Sequence, residues 1–437
     1  MKSVGFQTLG CKVNYSETSS ISRQFVERGF RVAETDERCD VFVLNTCSVT
    51  ERADKECRQM VRRALRRSPD AFVVVIGCYA QLQPEEIASI DGVDLVLGAR
   101  EKFNIFDHVG EFRKLQQTQI FVSCIDEPLE FIGTSSGETD GRTRAYLKVQ
   151  DGCDYTCSFC TIPLARGVSR SQSADRIVAA AEDLARQGYQ EIVLTGVNVG
   201  DYGKAIGSSF LDLLRALEPV PVDRFRISSI EPNLLTKDVV DFILSSERFC
   251  NHFHIPLQSG SDAVLRLMRR RYRAAQYREL VEYITSKDPS ACIGADVLVG
   301  FPGETDELFE ETRTFIAELP VSYLHVFTYS EREKTDAVTY ANPVPMRIRG
   351  DRNETLRMIG MLKRDAFYRA ASTSTASVLF ETPEEDGTQV GWTRNYVRVA
   401  LHADHDLSNT ICPVKIGDVE QGRCTAALIN TLVTMAR

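Results

Sequence analysis

The chain has 437 residues, 52 Lys+Arg against 61 Asp+Glu for a net charge of −9, and 43% hydrophobic residues; at about 150 residues per domain it has room for about three well-cored domains. That balance excludes a uniformly basic nucleic-acid coat but not local basic faces. No apolar run is long enough for a spanning helix and residues 1–18 lack the apolar core of a secretion signal, so a cytoplasmic protein without membrane contact is expected.

Strands and helices alternate from the start. Residues 4–9, 40–45, 71–76 and 94–97 read as strands, and 16–28 and 49–67 as helices, the second strongly basic. Continuous apolar strands separated by helices imply a parallel sheet covered on both faces, here a first domain over 1–125. Residues 126–142 are polar and Gly/Ser-rich, a linker with no core to build. Strand-like runs resume at 145–150, 191–195, 225–230, 252–255, 292–299 and 323–329, with helices such as 173–187 and 306–318 between them. These six units predict a partial (β/α)6 barrel over 143–345. A long helix over 346–371 follows. Five short strands within 372–437 then predict a small closed β-barrel. The fold class is α/β.

Thirteen cysteines in a cytosolic chain point to metal or redox chemistry, because disulfides are disfavoured there and the count is odd. Cys153, Cys157 and Cys160 form C-x3-C-x2-C in GCDYTCSFC, directly after a strand. A structural zinc site usually has four ligands in two pairs, and no second pair follows. Soft thiolates suit iron–sulfur chemistry, and three ligands leave one iron of a 4Fe-4S cluster open. Cys11, Cys47 and Cys78 are remote in sequence but each closely follows its strand, in FQTLGC, VFVLNTC and VVVIGC. In a parallel sheet those ends line one edge, so three distant thiols can share a site. The other seven cysteines show no such pattern and read as small hydrophobes.

The first motif resembles the radical S-adenosylmethionine superfamily, with Phe159 at its aromatic position. That resemblance implies catalytic Cys153, Cys157 and Cys160 around a 4Fe-4S cluster whose open iron takes S-adenosylmethionine. It also implies cofactor contacts from Phe159, Thr195, Gly196, Glu231, Val299 and Gly300, although TG and GFPGE are also ordinary turns. With QTLGCKVNYSET, LNTCSVTERADKE, IGCYAQ, HIPLQSGSDAVLRLMRR and DVLVGFPGETDE added, nearly the whole chain resembles the methylthiotransferases. The C-terminal VLFE and GWTRNYVRV resemble a TRAM domain, an RNA-binding module. Within the family, GCKVNYSE is most like the MtaB-type tRNA enzymes. The resemblance then implies a second 4Fe-4S cluster on Cys11, Cys47 and Cys78, both clusters facing one pocket, and transfer of a methylthio group to carbon 2 of threonylcarbamoyladenosine at position 37 of tRNA. Its implied partners are a tRNA anticodon stem-loop, an electron donor such as flavodoxin or ferredoxin, and a sulfur source, with the chain a monomer. Isopentenyladenosine tRNA, a ribosomal-protein aspartate, and a non-catalytic metal-containing RNA-binding role stay open.

RNA contact needs local positive charge. Residues 52–67 carry net +5, 266–278 net +6 with Tyr272 and Tyr277 interleaved, and 347–369 net +4. The last 66 residues, 372–437, carry net −3, so stacking by Trp392, Tyr396 and Arg394 is the better RNA expectation there, with Trp392 in the barrel core as the competing one. His252 and His254 share one strand face and could line the barrel.

Overall fold

The structure, a computed structural model, describes residues 1–437 except 35, 48–50, 126–130, 137–142 and 430–437, and the side chains of 51–54. Six parallel strands form the first sheet: β1 (Ser3–Thr8), β2 (Arg31–Val32), β3 (Val41–Thr46), β4 (Phe72–Gly77), β5 (Leu95–Leu97) and β6 (Gln119–Phe121), in spatial order β2-β1-β3-β4-β5-β6. The central strands β3 and β4 are almost wholly apolar because helices cover both faces. The edge strands β2 and β6 were not expected from the sequence. They are two and three residues long, and β6 is exposed throughout, so neither leaves an apolar run to read. The first helix, Lys12–Glu27, begins four residues before the expected 16.

The expected linker falls partly outside the described residues. Its described part, 131–136, is not loose: Ser136 N donates to Tyr146 O, Lys148 N donates to Thr134 O, and Thr134 and Ser136 are buried. Hydroxyls that satisfy neighbouring backbone let a polar segment lie along a strand.

That strand is β7 (Arg144–Lys148). A short antiparallel pair, β8 (Gln150–Asp151) and β9 (Arg170–Ser171), follows, then β10 (Glu191–Thr195), β11 (Arg224–Ile227), β12 (His252–His254), β13 (Cys292–Val299) and β14 (Tyr323–Thr328). Two parallel three-stranded sheets, β11-β10-β7 and β12-β13-β14, meet where Ile230 N donates to His254 O. Their outward residues, including Ile192, Leu194, Phe253, Ile255, Val297 and Val299, pack on the surrounding helices as one core. The alternating inward residues are mostly polar, which sets the chemistry of the lumen. The helix Met346–Ala371 leads into a closed barrel of β15 (Thr375–Phe380), β16 (Gln389–Thr393), β17 (Arg398–Leu401), β18 (Ile411–Glu420) and β19 (Arg423–Leu428), consistent with a TRAM fold. Among the described residues, no helix is long and apolar enough to cross a membrane.

Candidate active site and metal centres

The β8–β9 pair clamps the base of the loop that carries Cys153, Cys157 and Cys160. Cys153 N donates to Gly167 O at 3.0 Å and Cys160 N to Cys157 O at 3.1 Å. Gly152 has φ +71, and a Cβ there would sit 2.0 Å from Val168 O, so glycine is required beside the first cysteine. Ser158 anchors the loop to the barrel wall through Met268 O and Leu267 O. Arg270 Nη1 donates to Cys157 Sγ at 3.3 Å, while Nη2 pairs with Glu231. Burial pushes the thiol of Cys153 up to about 11 and that of Cys160 up to about 12, and Cys157 moves the same way. Such buried thiols become thiolates once a cationic metal group compensates their charge.

The other trio gathers at the C-terminal edge of the first sheet. The register aligns Thr8 with Asn45 and Thr46 with Gly77, so Cys11, Cys47 and Cys78 emerge from level strand ends. Gly10, at φ +101, packs on Cys47, with an added Cβ only 2.9 Å from its Sγ. Asn14 Nδ2 donates to Leu9 O and Thr46 O, tying two of the loops together. Cys78 opens the short helix Cys78–Leu82. Burial raises the Cys11 thiol, and the Arg166 guanidinium opposes that rise. Among the described residues, the only three His, Cys, Asp or Glu ligand atoms lying within 4.8 Å of one another are those of His254, Asp296 and His325. Neither cysteine trio is therefore gathered at single-ion spacing; zinc at about 2.3 Å from each sulfur would need them closer.

Between the trios lies a buried charge network. Arg166 ends the helix Ile162–Arg166, which packs on the helix of Cys78. Its Nη1 donates to Glu17 Oε1 at 2.9 Å and Asp151 Oδ1 at 3.0 Å, and its Nη2 to Asn14 Oδ1 at 2.6 Å. Lys102 and Lys148 also reach Glu17, and Lys148 and Arg170 reach Asp151. Two carboxylates thus face four cations, and every side chain but Arg170 is under 5% exposed. The opposing charges, Arg166 foremost for Glu17 and Lys148 for Asp151, outweigh desolvation and hold both carboxyls far below the usual range. An excess of two positive charges in a dry interior needs anions nearby, and two thiolate-ligated centres would supply them.

Residues 3–98 match the uncharacterized protein family UPF0004, and 147–316 match the radical SAM superfamily. A Bacillus subtilis protein named threonylcarbamoyladenosine tRNA methylthiotransferase MtaB is 38% identical over 423 residues, covering 95% of this chain and 94% of that one. The chain belongs to the radical SAM methylthiotransferase family. A Symbiobacterium thermophilum tRNA-2-methylthio-N(6)-dimethylallyladenosine synthase is 30% identical, covering 99% of this chain and 96% of that one. Among solved structures, the radical S-adenosylmethionine methyltransferase TsrM from Kitasatospora setae shares the fold, with TM-score 0.56 at 14% identity over 81% of this chain and 85% of that one.

In this methylthiotransferase several buried polar atoms lack a hydrogen-bond partner at the C-terminal ends of β10 and β11: Thr195 Oγ1, both amide atoms of Asn198, Asp201 Oδ2 and Ser228 Oγ. Orphans so concentrated mark a place for a polar ligand, and they fit the amino-acid and ribose groups of S-adenosylmethionine. Gly196 lies against Gln150, and Phe159 packs edge-on to Phe301. Glu231 is engaged by Arg270. The Val299 side chain faces the helix layer, whereas its neighbour Leu298 lines a cavity of about 250 Å³ with Phe159, Cys160, Gln258 and Asp296. Gly300, at φ +74, lies under Arg349, and its N–H is held by Glu304, which Arg352 also binds. The GFPGE turn thus fastens the barrel to the helix Met346–Ala371.

The floor of the lumen is sealed by the third domain. Arg226 forms a bidentate pair with Glu191 and donates to Thr393 O and Arg394 O. Tyr396 stacks on His252 at 4.3 Å and on Trp392 at 4.4 Å, and Arg394 binds carbonyls at 246, 247 and 249. Both sequence expectations for these residues need correcting: Tyr396 and Arg394 plug the radical SAM barrel rather than stack on RNA, and Trp392 stands outside the small barrel's core. Tyr272 and Tyr277 are also buried, with hydroxyls on carbonyls of 255–257, so the aromatic part of the 266–278 patch is structural. Sequence reasoning missed Glu17, Lys102, Lys148, Asp151, Arg166 and Arg270, because a lone charged residue reads as surface until its partners are placed.

Proposed function

We propose that this enzyme transfers a methylthio group to carbon 2 of threonylcarbamoyladenosine at position 37 of tRNA, the substrate named for its relatives at 38% identity. The observation that carries this reading is the buried Arg166 node, which joins two thiol trios and carries uncompensated positive charge between them. Cys153, Cys157 and Cys160 would hold one 4Fe-4S cluster, and Cys11, Cys47 and Cys78 a second. When bound, the clusters and S-adenosylmethionine supply the radical and sulfur chemistry that an unactivated aromatic C–H bond requires. The chain's own groups do the holding. Thr195, Gly196, Asn198 and Ser228 offer polar contacts to the cofactor, Phe159 flanks it, and the backbone at Val299 and Gly300 closes the far side. Glu231 acts through Arg270, fixing a cation beside Cys157. Cys160 lines a cavity within the barrel, and Arg166 binds both Asn14, three residues after Cys11, and Asp151, two residues before Cys153, which supports a shared chamber. The proposed domains are 1–125, 143–345 and 372–437, joined by the linker 126–142 and the helix region 346–371.

Anaerobic reaction with tRNA lacking only this modification, followed by nucleoside mass spectrometry, should yield the 2-methylthio derivative, and about eight irons per chain should be present. Unchanged tRNA with methylthiolated ribosomal protein, or one or two zincs in place of iron, would overturn the reading.

The anticodon stem-loop, the proposed partner, needs a positive face near the chamber. Arg62, Arg63 and Arg66 are exposed along the helix Glu51–Arg67. Replacing all three by Ala should weaken tRNA binding at low salt and flatten the log K against log salt slope by about two to three, measured by filter binding at several salt concentrations. An unchanged slope would move the RNA surface elsewhere. An electron donor such as flavodoxin or ferredoxin and an external sulfur source complete the proposed partners.

A further inference from the structure

The loop that carries Cys153, Cys157 and Cys160 is covered from outside by two short pieces of the barrel rim. One is the turn 267–273 between the helices Asp262–Leu267 and Ala274–Lys287, and the other is the 3-10 turn Asp336–Thr339. Ser158 sits under both. Its hydroxyl and N–H donate to Leu267 O at 2.8 Å and Met268 O at 3.2 Å, and its carbonyl accepts from Ala337 N at 2.8 Å. Arg270 reaches Cys157 Sγ, while Arg271 donates to Asp154 O at 3.1 Å and lies 3.9 Å from the centre of the Tyr155 ring. The loop thus touches exposed residues directly, and Cys157 is itself only half-buried.

The outward face of this cover has a composition that holding the loop does not require. Residues 266–273 contain five arginines and no acid. Arg270 is engaged by Glu231, but Arg266, Arg269, Arg271 and Arg273 are exposed. Arg269 pairs with Asp336; among the described residues, Arg266 and Arg273 have no ion pair. Arg269 also stands at φ +58, in the left-handed region that glycine or asparagine usually fills at a helix end, so a guanidinium is kept there against backbone preference. Leu267 and Val338, 38% and 46% exposed, add aliphatic surface on the same two turns. The nearby rings of Tyr155, Tyr272 and Tyr277 are all buried. Exposed cations around aliphatic carbons suit an acidic protein surface, whereas single-stranded RNA is usually gripped by exposed rings as well. The cysteine loop beneath is the proposed seat of a cluster that has to gain an electron from outside the chain. Electron transfer weakens steeply with distance, so a carrier has to dock where that loop meets the surface.

We propose that the face formed by residues 266–273 and 336–339 is the docking surface for an acidic one-electron carrier protein that reduces the barrel cluster. This rests on the cluster reading above and names the place where the electron enters. In that step the carrier is oxidised by one electron, the cluster is reduced by one, and no bond forms or breaks.

The test uses the anaerobic holoenzyme, with a reduced flavodoxin as the probe. Arg266→Glu combined with Arg273→Glu changes two residues that make no hydrogen bond to the cysteine loop. This variant should bind flavodoxin about tenfold or more weakly at low salt, and accept its electron correspondingly slowly, with the difference shrinking as salt rises. Val338→Asp should act in the same direction through the aliphatic part of the face. Iron content, binding of the anticodon stem-loop, and reduction by the methyl viologen radical, a small cation that needs no docking face, should all stay at wild-type values. Unchanged affinity and rate with flavodoxin in both variants overturn the proposal. So does slower reduction by methyl viologen, which would make the face a support for the cluster alone. A weaker hold on the stem-loop with flavodoxin unaffected overturns it as well, since the face would then belong to RNA. A holoenzyme that takes the electron through this face yet leaves tRNA unmodified sinks the tRNA reading and spares the surface; a chain that binds no iron sinks the cluster reading and the surface with it.

Discussion

Glu17→Gln should destabilise the protein by about 3–5 kcal/mol, read as a drop in the urea midpoint at pH 7.5 with an unchanged slope. The substitution keeps the volume and one acceptor oxygen, removes the charge, and turns the other oxygen into an NH2 donor facing cations. Glu17 is fully buried and accepts from Arg166, Lys102 and Lys148, so three cations lose a shared anion at once. They cannot turn to water, because each is under 5% exposed. Asp151 would remain as the sole carboxylate against four cations. The exposed pair Arg31–Glu37 is the control: Glu37→Gln should leave the midpoint unmoved, since solvent screens that pair. The pH dependence follows with a definite sign. Both node carboxyls are depressed in the folded state, so in acid the unfolded chain binds more protons. The stability they contribute is fully present above the ordinary carboxylate range, about pH 4.5, and is lost as pH falls below it. Glu17→Gln should flatten that acid limb. A loss under about 1 kcal/mol would show that the node is solvated and carries no strong coupling between the domains.

The elements legible in the sequence were those with a long one-sided or two-sided apolar signal. β10, β13 and the helix Asp306–Glu318 lie at their expected bounds because each is flanked by turn residues and buried along its length or on one face. Cys11, Cys47 and Cys78 could be placed on one edge because each follows a strand of a parallel sheet, and topology rather than spacing locates such residues. The Arg166 node was not legible, because Glu17, Lys102, Asp151 and Arg166 are brought together by domain packing that leaves no periodic trace. His252 and His254 do share a face, but the groups packed beside His254, Asp296 and His325, come from neighbouring strands. The 266–278 patch was legible in part. Arg266, Arg269, Arg271 and Arg273 are exposed, Arg271 lying over Tyr155, whereas Arg270 turns inward to Cys157 and Glu231, which no sequence pattern marks.

Replacing Cys11, Cys47 and Cys78 together by Ala should halve the iron to about four per chain and abolish methylthio transfer, while reductive cleavage of S-adenosylmethionine survives. The reciprocal variant at Cys153, Cys157 and Cys160 should also keep about four irons but lose cleavage as well. The asymmetry follows from position. The barrel trio shares its end of the lumen with the unpartnered atoms of Thr195, Asn198 and Ser228, the proposed cofactor contacts, whereas the first trio stands on a separate sheet edge behind Arg166. The first variant should also be less stable than wild type, beyond the loss of three small side chains. Its node keeps four cations and two carboxylates but no anionic centre beside Arg166, whose charge already acts on Cys11 and Cys78. Adding Arg166→Gln to that variant should therefore cost less stability than the same change in wild type, a coupling that a double-mutant cycle measures directly. If the triple variant retained about eight irons, or if the two changes were additive, the assignment of the first trio to a cluster would fall.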